Sequence, residues 1–90
     1  MNEEAKIREF IFENFMIGGN EEDLDNEDSF LEKGVIDSTG ILELVMFVEE
    51  TYDIEVEDDE VIPENFDSVN KLGAYVRRKL SEVSLSKSDS

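Results

Sequence analysis

Ninety residues make room for one small domain, which buries only about 60 to 65% of the surface its unfolded chain exposes, too little for an enclosed catalytic cavity. With 25 acidic and 8 basic side chains the net charge is -17, which repels nucleic-acid phosphates and anionic lipid surfaces and selects protein partners with basic faces. Histidine and cysteine are absent, which excludes disulfides, thiolate metal sites and any nucleophile that relies on an imidazole base.

The apolar residues Ile7, Phe10, Ile11 and Phe15 recur at helical spacing between Glu3 and Ile17, which predicts a first helix capped by Asn2 and stopped by Gly18-Gly19. Asn20 to Ile36 follows as a long acidic connection, with Leu24, Phe30, Leu31, Val35 and Ile36 apolar enough to pin it onto a core. Thr39 to Tyr52 is the second helix. Glu57 to Ile62 is expected to form one short turn before Pro63 interrupts it. Val69, Leu72, Val76 and Leu80, spaced by three and four, mark a last helix from Val69 to Leu80. Residues 1–80 then form the domain, and the serine-rich 81–90 is expected as a flexible tail too polar to pack. The class is all-α: a small four-helix bundle of three longer helices and one short one, with a long loop between the first two. Leu44 to Val48, the longest apolar run, is too short to span a bilayer, and Met1-Asn2-Glu3-Glu4 lacks the character of a signal peptide, so a cytoplasmic monomer is expected.

Asp-Ser occurs four times, at Asp28-Ser29, Asp37-Ser38, Asp67-Ser68 and Asp89-Ser90, so context must choose among the copies. The last lies in the expected tail, and the first precedes only Phe30-Leu31 before Gly34. Asp67-Ser68 opens a good helix, and its reading as an N-cap suffices. Asp37-Ser38 also fits a cap but begins a helix with an unusual outer surface. At about 100 degrees per residue, Ile41, Leu44, Val45, Val48 and Tyr52 share one core stripe. Leu42 and Met46 lie away from it, among Glu43, Glu49 and Glu50, and look like a docking surface; the alternative is burial against the long loop or the last helix. Phe47 projects almost opposite the stripe, and periodicity gives it no partner.

The string Phe30-Leu31-Glu32-Lys33-Gly34-Val35-Ile36-Asp37-Ser38, followed by Glu43-Leu44-Val45-Met46, Glu49-Glu50, Ile54, Val56, the acidic turn Glu57 to Glu60 and Asn65-Phe66-Asp67-Ser68-Val69, closely resembles the acyl carrier protein family. The likeness covers nearly all of the chain except its tail. It implies that Ser38 receives 4'-phosphopantetheine covalently from coenzyme A and that Asp37 is read by the phosphopantetheinyl transferase. It also implies that the arm's thiol carries acyl or aminoacyl groups as thioesters between loading and condensing enzymes with basic patches, in fatty acid, polyketide or nonribosomal peptide biosynthesis. A phosphodiester at Ser38 would lie at a helix N-terminus, where amide N–H groups and the dipole favour negative charge. Twelve acidic residues and no basic one lie between Gly34 and Asn70, suiting many brief encounters. Leu42, Glu43, Met46, Glu49 and Glu50 are the expected partner-binding residues, with no catalytic residue and no metal site. Thr39-Gly40 departs from the bulkier residues common in the family and predicts a looser first turn, or one that a partner's backbone approaches closely.

Two rivals remain. One is a carrier-like interaction subunit that is never modified. The other is a calcium loop with Asp53, Glu55, Glu57 and Glu64 at positions one, three, five and twelve, weakened by Asp58 where the hinge glycine belongs and by Pro63.

Overall fold

Asn2 starts the first helix as the sequence predicts, its side-chain oxygen accepting from Ala5 N at 3.3 Å and satisfying a donor that a helix start leaves over. In this computed structural model, which describes residues 2–16 and 18–88, helix α1 spans Glu3–Asn14. The expected end at Ile17 lies outside the described residues, and α1 stops earlier. Phe15 N and Met16 N both donate to Ile11 O, at 2.7 and 3.0 Å, which closes the last turn before the glycines; Gly18, at φ 82°, then turns the chain.

The long connection contains a helix that apolar spacing did not reveal. Helix α2, Phe30–Lys33, is a single turn held at both ends: Ser29 Oγ accepts from Glu32 N at 3.1 Å, and Gly34, at φ 70°, donates from its N–H to Leu31 O at 3.2 Å. One turn is unstable by itself. It persists because Phe30 is fully buried, together with Leu24 and Ile36 from the same connection.

Helix α3 spans Ser38–Tyr52, with Leu44 and Val48 fully buried and Ile41, Val45 and Tyr52 half-buried against the core. Phe47, which periodicity left without a partner, stacks on Phe10 of α1 at 4.1 Å between ring centroids and 18° between planes. Beyond α3, a 3-10 turn at Asp58–Glu60 precedes helix α4, Pro63–Phe66. Pro63 therefore begins a helix where the sequence expectation had it interrupt one: at the first helical position its missing N–H is needed by no carbonyl. Helix α5 is Val69–Ser88, capped as expected by Ser68, whose Oγ accepts from Lys71 N at 3.1 Å. It continues past the expected end at Leu80 because Ser81 to Ser88 holds neither glycine nor proline, and extending an existing helix costs little. Positions 89 and 90 lie outside the described residues.

Val69, Leu72, Tyr75 and Val76 turn the buried face of α5 towards Ile7 and Ile11 of α1 and the inner face of α3. No strand occurs among the described residues. The 3-10 turn is tied to α5 by one carboxylate. Glu60 accepts from Glu57 N at 3.0 Å, from Tyr75 Oη at 2.9 Å and from Lys79 Nζ at 3.1 Å. The Glu57 N–H, followed by Lys79 and Tyr75, holds Glu60 below the ordinary glutamate value, and Glu60 in turn raises Lys79. Burial, then the Glu60 hydrogen bond and charge, raises Tyr75; burial, then Glu3 and Glu4, raises Tyr52.

The lowered Glu60 stabilises the fold at pH values above the ordinary glutamate range, an effect lost as pH falls through its depressed value. Lys79 and Tyr75 contribute fully below their ordinary values of 10.5 and 10.0, and that contribution is lost as pH rises through the raised ones. Tyrosinate absorbance during an alkaline titration should therefore show both tyrosines still protonated past pH 10.0. A tyrosine ionising at its ordinary value would contradict this packing.

Candidate functional site

Asp37 caps α3, its Oδ1 accepting from Gly40 N at 2.7 Å while its carbonyl accepts from Ile41 N at 3.1 Å. Ser38, the first helical residue, is thereby released from capping. It is exposed, and its hydroxyl makes no hydrogen bond among the described residues. The other described Asp-Ser serines differ. Ser29 Oγ accepts from Glu32 N and donates to Asp67 Oδ2, whereas Ser68 is 2% exposed and caps α5. Ser90 lies outside the described residues. Only Ser38 of the described three combines exposure with an uncommitted oxygen.

Beside Ser38 opens a cleft of about 210 Å³, lined by Leu31 of α2, Ile41 of α3, and Val61, Ile62, Pro63, Phe66 and Asp67. Asp67, almost wholly buried, holds its shape: Oδ1 accepts from Leu31 N at 3.1 Å, and the Asp67 carbonyl accepts from Phe30 N at 2.8 Å. These bonds fasten α2 to the junction of α4 and α5 and set Leu31 on the cleft rim. In the sequence Asp67-Ser68 reads only as an N-cap, whereas the fold gives the cap to Ser68 and turns Asp67 towards α2.

On the outer face of α3, Leu42 and Met46 are each 59% exposed, so neither is buried against the long loop. Glu43 and Glu50 are exposed beside them. Glu49 is different: it is half-buried, and its Oε2 accepts from Val56 N at 3.0 Å, binding the chain beyond α3 back onto the helix.

Thr39-Gly40 is not a loose or open turn, which corrects the sequence expectation. Gly40 is buried, and a Cβ there would lie 2.8 Å from Ile36 Cγ2 and 3.0 Å from Phe15 Cε1. The space a partner's backbone would need is filled from within. Helix propensity alone would make Gly40→Ala stabilising by about 1 kcal/mol. Overpacking of about 1 to 3 kcal/mol opposes it, so a net loss of stability is expected in urea unfolding.

Asp53 ends α3 in the left-handed conformation at φ 55°, and the segment after it enters the 3-10 turn and the proline-led helix. Among the described residues no group of three or more acidic side chains is arranged to hold a metal ion, and no helix is long and apolar enough to cross a membrane.

No family model matches the chain. It is 35% identical over 79 residues to an acyl carrier protein of Desulforapulum autotrophicum, a span covering 88% of this chain and 99% of that one. The crystal structure of an acyl carrier protein from Thermotoga maritima aligns with a TM-score of 0.66 and 34% identity, over 88% of this chain and 87% of the other. The solution structure of a holo acyl carrier protein from Nitrosomonas europaea aligns over 90% of this chain and 99% of its own, with a TM-score of 0.73. At 24% identity that last likeness speaks for the fold alone.

Proposed function

The chain belongs to the acyl carrier protein family, whose members are carriers and not enzymes, and on that premise we propose that Ser38 bears a covalent 4'-phosphopantetheine arm. The observation that carries this is the contrast among the described Asp-Ser pairs: Ser38 alone offers an exposed, unbonded hydroxyl, and does so at the start of a long helix. The residues present suit the group, because the first-turn amides and dipole of α3 favour a phosphodiester and the adjoining cleft is largely apolar. When bound, the arm supplies a terminal thiol on which acyl or aminoacyl cargo is held as a thioester.

In the loading step Ser38 Oγ forms a bond to the phosphorus of coenzyme A that carries the pantetheine. The phosphoanhydride bond breaks, the adenosine bisphosphate leaves, and the hydroxyl proton passes to a base on the transferase, which also supplies the metal ion. Asp37 spends one oxygen on Gly40 N and has its other for a cationic group of that transferase. Leu42 and Met46 offer apolar contact, while Glu43 and Glu50 steer basic surfaces of loading and condensing enzymes. Glu49 contributes charge from a position already fixed by Val56. The site of action is the cytoplasm, where coenzyme A and these enzymes meet. Intact-mass analysis after incubation with coenzyme A and a broad-specificity transferase tests the proposal; an unchanged mass would favour an interaction subunit that is never loaded.

A further inference from the structure

One wall of the Ser38 cleft is a short segment fastened at its two ends. Val61, Ile62, Pro63 and Phe66 form it, and its backbone bonds are local, as in Ile62 N to Glu60 O and Phe66 N to Ile62 O, both 3.0 Å. At the far end Phe66 is buried and Asp67 grips α2. At the near end Ile62 is 40% exposed, so apolar burial does little there. Polar contacts, most of them with α5, anchor it instead. Tyr75 Oη and Lys79 Nζ donate to the Glu60 carboxylate, Asn65 Nδ2 donates to Glu60 O at 2.9 Å, and Arg78 donates to Asn65 Oδ1 at 2.9 Å.

We propose that Glu60 is a positioning residue, a latch that sets the width of the Ser38 cleft and so the length of acyl chain this carrier can enclose. The proposal rests on the reading of Ser38 as the root of the arm. Latched, the cleft of about 210 Å³ has room for roughly eight carbons, scaling from the ~150 Å³ cavity that encloses benzene. Released at Glu60, the stretch Val61 to Pro63 swings about the buried Phe66, away from Ile41 and Leu31, and the space grows towards longer chains. Such an opening breaks few bonds and leaves the α1, α3 and α5 core intact, as sub-global openings do.

The full-length chain is compared with Glu60→Ala and with Glu60→Gln, whose amide oxygen still accepts from Tyr75 Oη and Glu57 N. Without any arm, amide hydrogen exchange across 61–66 should quicken about tenfold in Glu60→Ala, stay unchanged in α1 and α3, and largely recover in Glu60→Gln. Equal exchange in all three overturns the latch, whatever happens at Ser38. Where Glu60→Ala unsettles the whole domain, Lys79→Met cuts the same tie from α5 and decides the matter by the same readout. With butanoyl, octanoyl and dodecanoyl arms attached, hydroxylamine cleavage should be slowed in the native chain only for the two shorter cargoes, and in Glu60→Ala for dodecanoyl as well. Identical chain-length profiles overturn the size limit. Failure of every arm to attach at Ser38 instead removes the carrier reading and leaves hydrogen exchange to judge the latch.

Discussion

Ser38→Ala is expected to stay at its unmodified mass when incubated with coenzyme A and a broad-specificity phosphopantetheinyl transferase, while the native chain gains one phosphopantetheinyl group. The expectation is all-or-none because no other described Asp-Ser serine can take its place. Ser68 is buried and spends its oxygen on Lys71 N; Ser29 is bonded to both Glu32 N and Asp67. The substitution should also be structurally silent. Asp37 is the cap of α3, and alanine at the first helical position has the better propensity, so stability should change by no more than about 0.5 kcal/mol. Lost modification then reports on the hydroxyl and not on the fold. Loss of the mass gain in Ser29→Ala or Ser68→Ala with Ser38 intact would refute the assignment.

Phe30→Ala should lower unfolding stability by about 3 to 5 kcal/mol, the cost of emptying a fully buried aromatic site. A domain of this length has only about 5 to 13 kcal/mol in total, so the urea midpoint should fall steeply. The neighbouring Leu31→Ala is the control. Leu31 is 43% exposed on the cleft rim, and its truncation should cost less than about 1 kcal/mol. Adjacent residues with such unequal effects are what a one-turn helix with a buried face requires. Similar small effects at both positions would mean that 30–33 is merely a loop lying on the surface.

The three long helices were legible because each carries an apolar stripe repeating over several turns, and Asn2 and Ser68 cap where their side chains predicted. The same arithmetic sets Leu42 and Met46 off the core stripe of α3 but leaves open their burial against another element, and it is the fold that exposes them. What escaped notice was either too short for a period or made by distant partners. Helix α2 offers four residues to a 3.6-residue repeat, and its only local signals are the Ser29 and Gly34 caps. Phe47 finds its place because α1 brings Phe10 over it, which one helix's periodicity cannot show. Pro63 reads as a breaker in the sequence, where nothing marks it as the first residue of a helix, and at that position a proline is a beginning. Glu60 and Asp67 act through Tyr75, Lys79 and Ser29, which lie from 15 to 38 positions away along the chain. In an acidic sequence nothing local distinguishes those two carboxylates from the rest.

The packing beneath Gly40 bears on how a tethered group would move. With Ile36 and Phe15 pressed against its underside, the opening turn of α3 has nowhere to tilt, and dense packing of that sort resists small displacements. Anything hung from Ser38 would therefore swing about a stationary pivot, its wandering confined to its own rotatable bonds. A visiting enzyme would meet the same hinge point at every encounter and have only the far end of the tether left to find.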